Sequence, residues 1–282
     1  MGTADIAGPV SSSTRSWLRI LLLGLGLFVL AVFVFALTGN PNLFPTVALI
    51  GNFVVPVSYV AFFYERRHMS QVTLVSTARA FFYGGALGVF AAALLEPVFI
   101  RQLTFLSAFE VGLIEEFAKI LGVLVVARHH RHDSEIDGII LGGAAGMGFA
   151  ALESSGYVFT AFVESGGSLS ALVLVTLLRG LLSPVGHGTW TAILASVIFR
   201  ESGPNRFRLD RAVLGAYLTV VVLHGLWDGL PQLVGILTGQ GLDVLLSQGA
   251  VGVAGLVILW FRWREAVRRE VGPVAPEESV AV

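Results

Sequence analysis

Eight long apolar segments limit this chain to one class of fold. Each has about twenty residues or more, the length that an α-helix needs to cross a bilayer. A backbone in lipid must satisfy its own hydrogen bonds, and the alternating ten-residue pattern of a membrane barrel is missing. We therefore predict an all-α, polytopic membrane protein with about eight transmembrane helices. The segments are residues 18–37, 43–63, 80–100, 103–127, 136–163, 171–199, 212–237 and 243–261.

Composition supports this class and excludes several functions. The chain is 55% hydrophobic and 13% charged, whereas soluble domains carry about 25% charged residues. It has no cysteine, which excludes disulfides, cysteine-ligated zinc and thiol catalysis. Its net charge of -1 gives no sign of a nucleic-acid partner. The first segment is too long for the apolar part of a signal peptide, so we expect it to be retained.

The arginines predict how the segments are oriented. Fifteen of them lie in the N-terminal region and in alternate connections after it, and the opposite connections contain only Arg101. The positive-inside rule then places both termini in the cytoplasm and the protein in the cell membrane. We divide the chain into a cytoplasmic tail (1–17), one transmembrane domain (18–264) and a cytoplasmic tail (265–282). We expect the last tail to be disordered beyond Val271.

Ionisable residues inside the fourth segment are the strongest functional signal. Glu115, Glu116 and Lys119, the only lysine, lie within little more than one helical turn. An acidic or basic side chain at the bilayer centre costs about 2.5–3.5 kcal/mol on insertion scales, so such residues usually serve a function. Residues three and four apart share a helix face, so the lysine is expected to reach both carboxylates.

The next three segments contain further polar residues at similar depth. Glu153 lies in the fifth segment, His187 in the sixth, and His224 and Asp228 in the seventh. At about 1.5 Å per residue, Glu115, Glu153, His187 and His224 all lie roughly 15–24 Å from the outer face. We therefore predict one catalytic core built from helices four to seven.

These residue types suit metal-dependent hydrolysis of a peptide bond. Glu153, His187 and His224 form a three-ligand set of the kind that holds catalytic Zn²⁺ and leaves one position for water. Such an ion activates its water and polarises a carbonyl group. Glu115 or Glu116 would then act as the general base.

Two more residues complete the predicted site. Lys119 is expected to keep one of the two adjacent glutamates ionised. Asp228, one turn after His224, is expected to accept the second ring N–H of that histidine. A metal-free alternative stays open, in which a glutamate activates water alone and the histidines stabilise the oxyanion. Arg179 in the sixth segment is either a carboxylate partner or a residue that reaches the outer interface.

Four short motifs resemble those of the PrsW-type intramembrane proteases, in the superfamily that includes the CAAX prenyl endopeptidases. They lie on successive segments over about half of the chain, and their order makes the match specific. One departure is Ser154, where the family usually has asparagine. The motifs are Glu115-Glu116-x-x-Lys119, Phe149-x-x-x-Glu153, a lone His187, and His224-Gly225-Leu226-Trp227-Asp228.

The resemblance implies cleavage of a membrane-anchored protein, typically an anti-sigma factor cut on its extracytoplasmic side. The expected partner is therefore a single-pass membrane protein within the lipid bilayer, and no oligomeric state is predicted. Two alternatives remain open. One is a metal-free prenyl endopeptidase of the same superfamily. The other is a proton-coupled transporter, since intramembrane carboxylates and histidines also form proton relays, although the polar pattern shows no internal repeat.

Overall fold

The helices of this protein account for nearly all of the chain that can be described. The computed structural model describes residues 15–102, 104–128, 134–204, 206–238 and 242–271. These parts form ten α-helices and no β-strand. The helices are α1 (Ser16–Thr38), α2 (Phe44–Tyr64), α3 (Leu74–Arg79), α4 (Gly85–Phe99), α5 (Ser107–Ala127), α6 (Glu135–Glu164), α7 (Leu169–Leu182), α8 (His187–Glu201), α9 (Arg211–Thr238) and α10 (Leu242–Val271).

Seven helical segments of the described chain are long and apolar enough to cross a membrane. They match seven of the eight predicted segments, with α3 and α4 forming one span and α7 and α8 another. The remaining predicted segment is α5, which has 21 residues, or about 32 Å of helix. Its four ionisable residues lie within ten residues of the helix, Glu110 to Lys119. The all-α, polytopic membrane fold is confirmed, and the crossing of α5 stays a prediction.

α6 is the central helix, and its first five turns are almost entirely buried. The glycines Gly138, Gly142 and Gly146 all face α8, where an added Cβ would overlap backbone carbonyl oxygens. Small residues four apart let two helices approach closely in a membrane, as their spacing predicts. At Gly146 the neighbouring carbonyl is that of His187. The start of α8 is therefore pressed directly against α6.

The sixth predicted segment is a span made of two helices. α7 ends at Leu182, a 3₁₀ turn covers Ser183–Val185, and α8 begins at His187. Pro184 in this turn has no N–H to donate and interrupts the helix. The break lets a segment longer than a straight helix needs to cross a bilayer fit as one span. It also lets Arg179 at the end of α7 and His187 at the start of α8 approach α6 separately.

A π-helical stretch, Ala80–Gly84, joins α3 to α4. Insertions of this kind are frequent near functional sites. Immediately after it, α4 lies so close to α6 that a Cβ at Gly85 would meet the backbone of Gly148 at 2.5 Å. The close approach directs the second half of α4, with Glu96, towards the centre of the bundle.

α10 extends further than the predicted eighth segment, which ends at residue 261. The helix continues to Val271, so the predicted boundary at residue 264 lies inside it. Arg262 of α10 forms an ion pair with the buried Glu135 at the start of α6, which ties these two helix ends together. The tail beyond Val271 and most of the N-terminal tail lie outside the described residues.

Candidate active site

α5 presents three ionisable side chains on one buried face. Glu115 is 4% exposed, and Glu116 and Lys119 are fully buried. Lys119 Nζ lies 2.6 Å from Glu116 Oε1 and 3.2 Å from Glu115 Oε2. The predicted contact of the lysine with both carboxylates is therefore confirmed.

Glu116 is the most completely bonded of these groups. Its Oε1 accepts a hydrogen bond from Lys119 and a second one, at 2.9 Å, from Nδ1 of His224. Its Oε2 accepts from the hydroxyl of Thr191 at 3.2 Å. Three donors from α5, α8 and α9 thus hold one carboxylate, which joins these helices at the centre of the bundle.

His187 links α5 to α6. Its Nδ1 lies 2.8 Å from Lys119 Nζ, and its Nε2 lies 3.2 Å from Glu153 Oε2. An ammonium can only donate, so Nδ1 accepts and Nε2 carries the proton that points to Glu153. The ring packs 5.0 Å from the ring of Phe149, between their centroids, which limits its rotation.

Three carboxylates surround the ring of His224. Nδ1 donates to Glu116, and Nε2 lies 3.2 Å from Asp228 Oδ2 and 3.6 Å from Glu115 Oε2. The ring packs on Trp190 with 4.8 Å between centroids. The predicted contact between His224 and Asp228 is observed, so all seven predicted site residues belong to one connected cluster.

One subset of the cluster has the spacing of a metal site. Ligand atoms of Glu115, His187 and His224 all lie within 4.8 Å of one another. Glu115 Oε2 is 3.6 Å from His224 Nε2 and 3.9 Å from His187 Nδ1. Tetrahedral Zn²⁺ with bonds of about 2.0–2.2 Å needs ligand atoms about 3.3–3.6 Å apart. The three donors therefore fit a zinc ion after a small inward movement, provided that Lys119 turns from His187 Nδ1 towards Glu116.

Glu153, predicted as a metal ligand, lies beside the trio in this structure. It is not part of the trio above, and the glutamate found there is Glu115. Glu153 Oε2 contacts His187 Nε2 and also Nη2 of Arg179, at 2.6 Å. Glu153 therefore contacts His187, one member of the trio, and is not itself a member.

A cavity of about 770 Å³ opens onto this cluster. Glu115, Glu153, His187 and Asp228 line it, whereas Glu116 does not. A volume of this size is typical of sites that bind a small molecule or a short peptide segment. Of the two glutamates predicted as alternative bases, only Glu115 can therefore meet a reactant in the cavity.

Sequence reasoning overlooked Glu96 and left Arg179 undecided. Glu96 of α4 lines the cavity and lies within hydrogen-bonding distance of the Glu115 carboxyl group. Its Oε1 is enclosed and has no hydrogen-bond donor among the described residues. The signal was present, because Glu96 is an acidic residue inside the third apolar segment, four residues before its end. Arg179 bonds to Glu153 and Ser154.

Comparison with known proteins identifies the family. The sequence model described as "PrsW family intramembrane metalloprotease" matches residues 73–263, which include the whole cluster. The chain belongs to the PrsW family. As the resemblance of its motifs implied, it is an intramembrane protease.

Curated relatives agree with this membership. The Protease PrsW of Halalkalibacterium halodurans is 29% identical over 180 residues, which cover 62% of this chain and 78% of the relative. The Protease PrsW of Bacillus subtilis is 27% identical over 192 residues, which cover 64% and 81%. No solved structure matches this PrsW-family chain. Membership favours the protease prediction over the transporter alternative.

Proposed function

We propose that this protein hydrolyses a peptide bond within the membrane, at the centre formed by Glu115, His187 and His224. The observation that carries the proposal is the convergence of these three side chains, from three helices, beside a cavity that Glu115 and His187 line. Water that reaches the wall of this cavity would meet the Glu115 carboxylate and the His187 imidazole together. Hydrolysis therefore needs no nucleophilic side chain of the protein.

We further propose that the same three residues hold Zn²⁺. One carboxylate and two imidazoles are the ligands of many zinc hydrolases, and their spacing here is close to what zinc requires. A bound zinc ion would supply a Lewis acid and a water of lowered pKa. Glu116 and Glu153 each contact the ring nitrogen of one histidine that faces away from the trio, and so fix the orientation of both rings.

Proton transfer needs a carboxylate that reaches the cavity. Glu116 is enclosed by its three donors, so we assign it to the orientation of His224. An ion on Glu115 and His224 Nε2 would leave that nitrogen without a proton, so Asp228, which lines the cavity 3.2 Å from it, would be the neighbouring acceptor rather than a partner of a ring N–H. A proton taken by Asp228 from water can then pass to the departing amine.

The expected substrate is a single-pass membrane protein such as an anti-sigma factor. Arg101 and Gln102, in the connection between α4 and α5, lie at one end of the cavity. In the predicted orientation this connection is on the extracytoplasmic side, where such substrates are cut according to the family resemblance. An extended segment just outside a transmembrane helix could enter the cavity from that end.

The proposal is tested with purified protein in vesicles and a tagged single-pass anti-sigma factor from the same genome. Glu115→Gln, His187→Ala and His224→Ala should each abolish cleavage, because each removes one of the three converging groups. Glu110→Gln is the matched control, since Glu110 is an exposed carboxylate on the same helix. Cleavage at the wild-type rate by Glu115→Gln protein would falsify the assignment of this centre.

Metal content is measured on the same preparations by mass spectrometry. About one Zn²⁺ per chain in wild type, lost in the two histidine variants and kept in Glu110→Gln, supports the zinc site. Removal of the ion by a chelator should stop cleavage, and added Zn²⁺ should restore it.

A metal-free mechanism is favoured by one observation, the position of Lys119. Its ammonium contacts both glutamates and His187 Nδ1, and so already supplies a cation to the centre. In that case Glu115 itself takes the proton from water. Active wild-type protein without bound metal would select this mechanism, and a comparison of prenylated peptides with the single-pass substrate would then separate a prenyl endopeptidase from the proposed activity.

A further inference from the structure

We propose that Arg179 is a positioning residue of the active centre, which fixes Glu153 and, through Glu153, the ring of His187. The proposal rests on the function proposed above. It adds to that function a residue from α7, a helix that contributes none of the predicted site residues.

The guanidinium of Arg179 is held at three points on α6. Nη2 donates to Glu153 Oε2 at 2.6 Å, and Nε donates to the hydroxyl oxygen of Ser154 at 3.0 Å. The group also lies over the ring of Tyr157, with Cζ 4.0 Å from the ring centroid. A planar guanidinium with two bonded nitrogens and a stacked face has one orientation, which lysine cannot reproduce.

The same carboxylate oxygen connects this arginine to His187. Glu153 Oε2 is 2.6 Å from Arg179 and 3.2 Å from His187 Nε2. The oxygen therefore lies between two donors that reach it from different helices. The break at Ser183–Val185 makes this possible, because a continuous helix would hold Arg179 and His187 more than two turns apart on a straight axis.

Without Arg179 the Glu153 carboxylate would have a single contact in the wall of an open cavity. Its side chain is 19% exposed and could then rotate into the cavity, away from His187. His187 would lose one of the two contacts that keep its proton on Nε2 and its Nδ1 unprotonated, the other being the Lys119 ammonium. Loss of such an outer partner of a metal-bound histidine typically costs 10–100-fold in metal affinity or activity.

The test uses Arg179→Met, Arg179→Lys, Glu153→Gln and the double variant Arg179→Met/Glu153→Gln, with Arg19→Met as control. Arg19 is an exposed arginine of α1. Zn²⁺ affinity is measured by chelator competition, together with kcat, KM and the thermal unfolding midpoint. The ¹⁵N shifts of His187, assigned from their loss in His187→Ala protein, report its tautomer.

We expect Arg179→Met to lower Zn²⁺ affinity and kcat about 10–100-fold, with a smaller change in KM and a mixed tautomer at His187. Arg179→Lys should recover part of this loss, since it keeps the charge but not the bond to Ser154. The double variant should be no worse than Glu153→Gln, because both changes act on one contact.

Two results would overturn the proposal. The first is an Arg179→Met protein with wild-type kcat and an unchanged His187 tautomer. The second is a double variant whose fold-loss in kcat equals the product of the two single fold-losses, which would mean that Arg179 acts independently of Glu153. If wild type binds no Zn²⁺, the zinc site fails, and kcat and the His187 tautomer still decide the role of Arg179.

Discussion

Glu115 and Glu116 are neighbours in sequence with very different surroundings. Glu115 lines the cavity, and its Oε2 accepts no hydrogen bond of good geometry from any residue that the structure describes, although the Lys119 ammonium is close. Glu116 is fully enclosed and accepts from three donors. A carboxylate that can still accept a proton or a cation is suited to chemistry, whereas a fully bonded one is suited to holding other groups in place.

Glu116→Gln should therefore reduce stability as well as cleavage. The change leaves the buried ammonium of Lys119 without its closest anion, 2.6 Å away, and breaking a buried ion pair typically costs about 3–5 kcal/mol. Glu115→Gln leaves this closest pair intact, so we expect that variant to remain folded. The check is the thermal unfolding midpoint in detergent, which should fall clearly for Glu116→Gln and little for Glu115→Gln. Equal midpoints would mean that Glu116 is not structural.

Glu96→Gln should stabilise the protein. In the described part of the chain, Glu96 Oε1 and Glu115 Oε2 are both enclosed without a hydrogen-bond donor, and the two side chains lie within hydrogen-bonding distance. An amide at residue 96 supplies a donor and removes the contact between two acidic groups. We expect a gain of about 1 kcal/mol, seen as a higher unfolding midpoint. Glu110→Gln is the control, and a midpoint that falls in Glu96→Gln protein would contradict this account.

At the scale of the helices, much of the arrangement could be predicted from sequence. Hydropathy identified the spans, and the glycine spacing on α6 is typical of a helix in close contact with a neighbour, although it does not identify α8 as that neighbour. The polar residues also indicated which helices share the site. These signals depend on local composition and period, which a single sequence contains.

The pairing of side chains within the site could not be predicted in the same way. Glu153 contacts Arg179 because α7 and α8 are separate helices, and the site of that break depends on packing around Pro184. Glu96 reaches Glu115 because α4 packs tightly on α6 after the π-helical stretch. The rotation and offset of each helix decide such contacts, and hydrophobic period alone does not determine them.

The contact between α6 and α8 makes Gly146→Ala a test of how His187 is placed. A methyl group at residue 146 would overlap the carbonyl oxygen of His187 and push the start of α8 outwards. Overpacking of this kind costs about 1–3 kcal/mol, and cleavage should fall because His187 moves away from Glu115. Gly143→Ala is the matched control on the same helix, since its nearest neighbour is the ring of Tyr59 at 3.4 Å. Similar activity of both variants would show that the close contact does not position His187.

For the whole molecule, the central question is the path of α5 through the membrane. In the part of the chain that the structure describes, seven segments qualify as spans by length and composition, whereas α5 has four ionisable residues between Glu110 and Lys119. Its charged face is covered by α6, α8 and α9, so a buried site rather than lipid surrounds those groups. Because these groups are shielded from lipid, α5 can cross the membrane despite the free-energy cost of its individual charges. With α5 the chain crosses eight times and both termini lie on one side; without α5 they lie on opposite sides.

Single cysteines can decide between these topologies, because the chain has no cysteine of its own. We choose four exposed positions in different connections: Gln71→Cys, Gln102→Cys, Ser165→Cys and Pro204→Cys. If α5 crosses in the predicted orientation, an impermeant maleimide added to intact cells labels residues 102 and 165, and labels 71 and 204 only after lysis. If α5 does not cross, residues 165 and 204 exchange their behaviour, because every connection after α5 changes side. The second pattern would place the Arg101 end of the cavity and the C-terminus on the same face. It would contradict both the eight-span count and the arginine-based orientation.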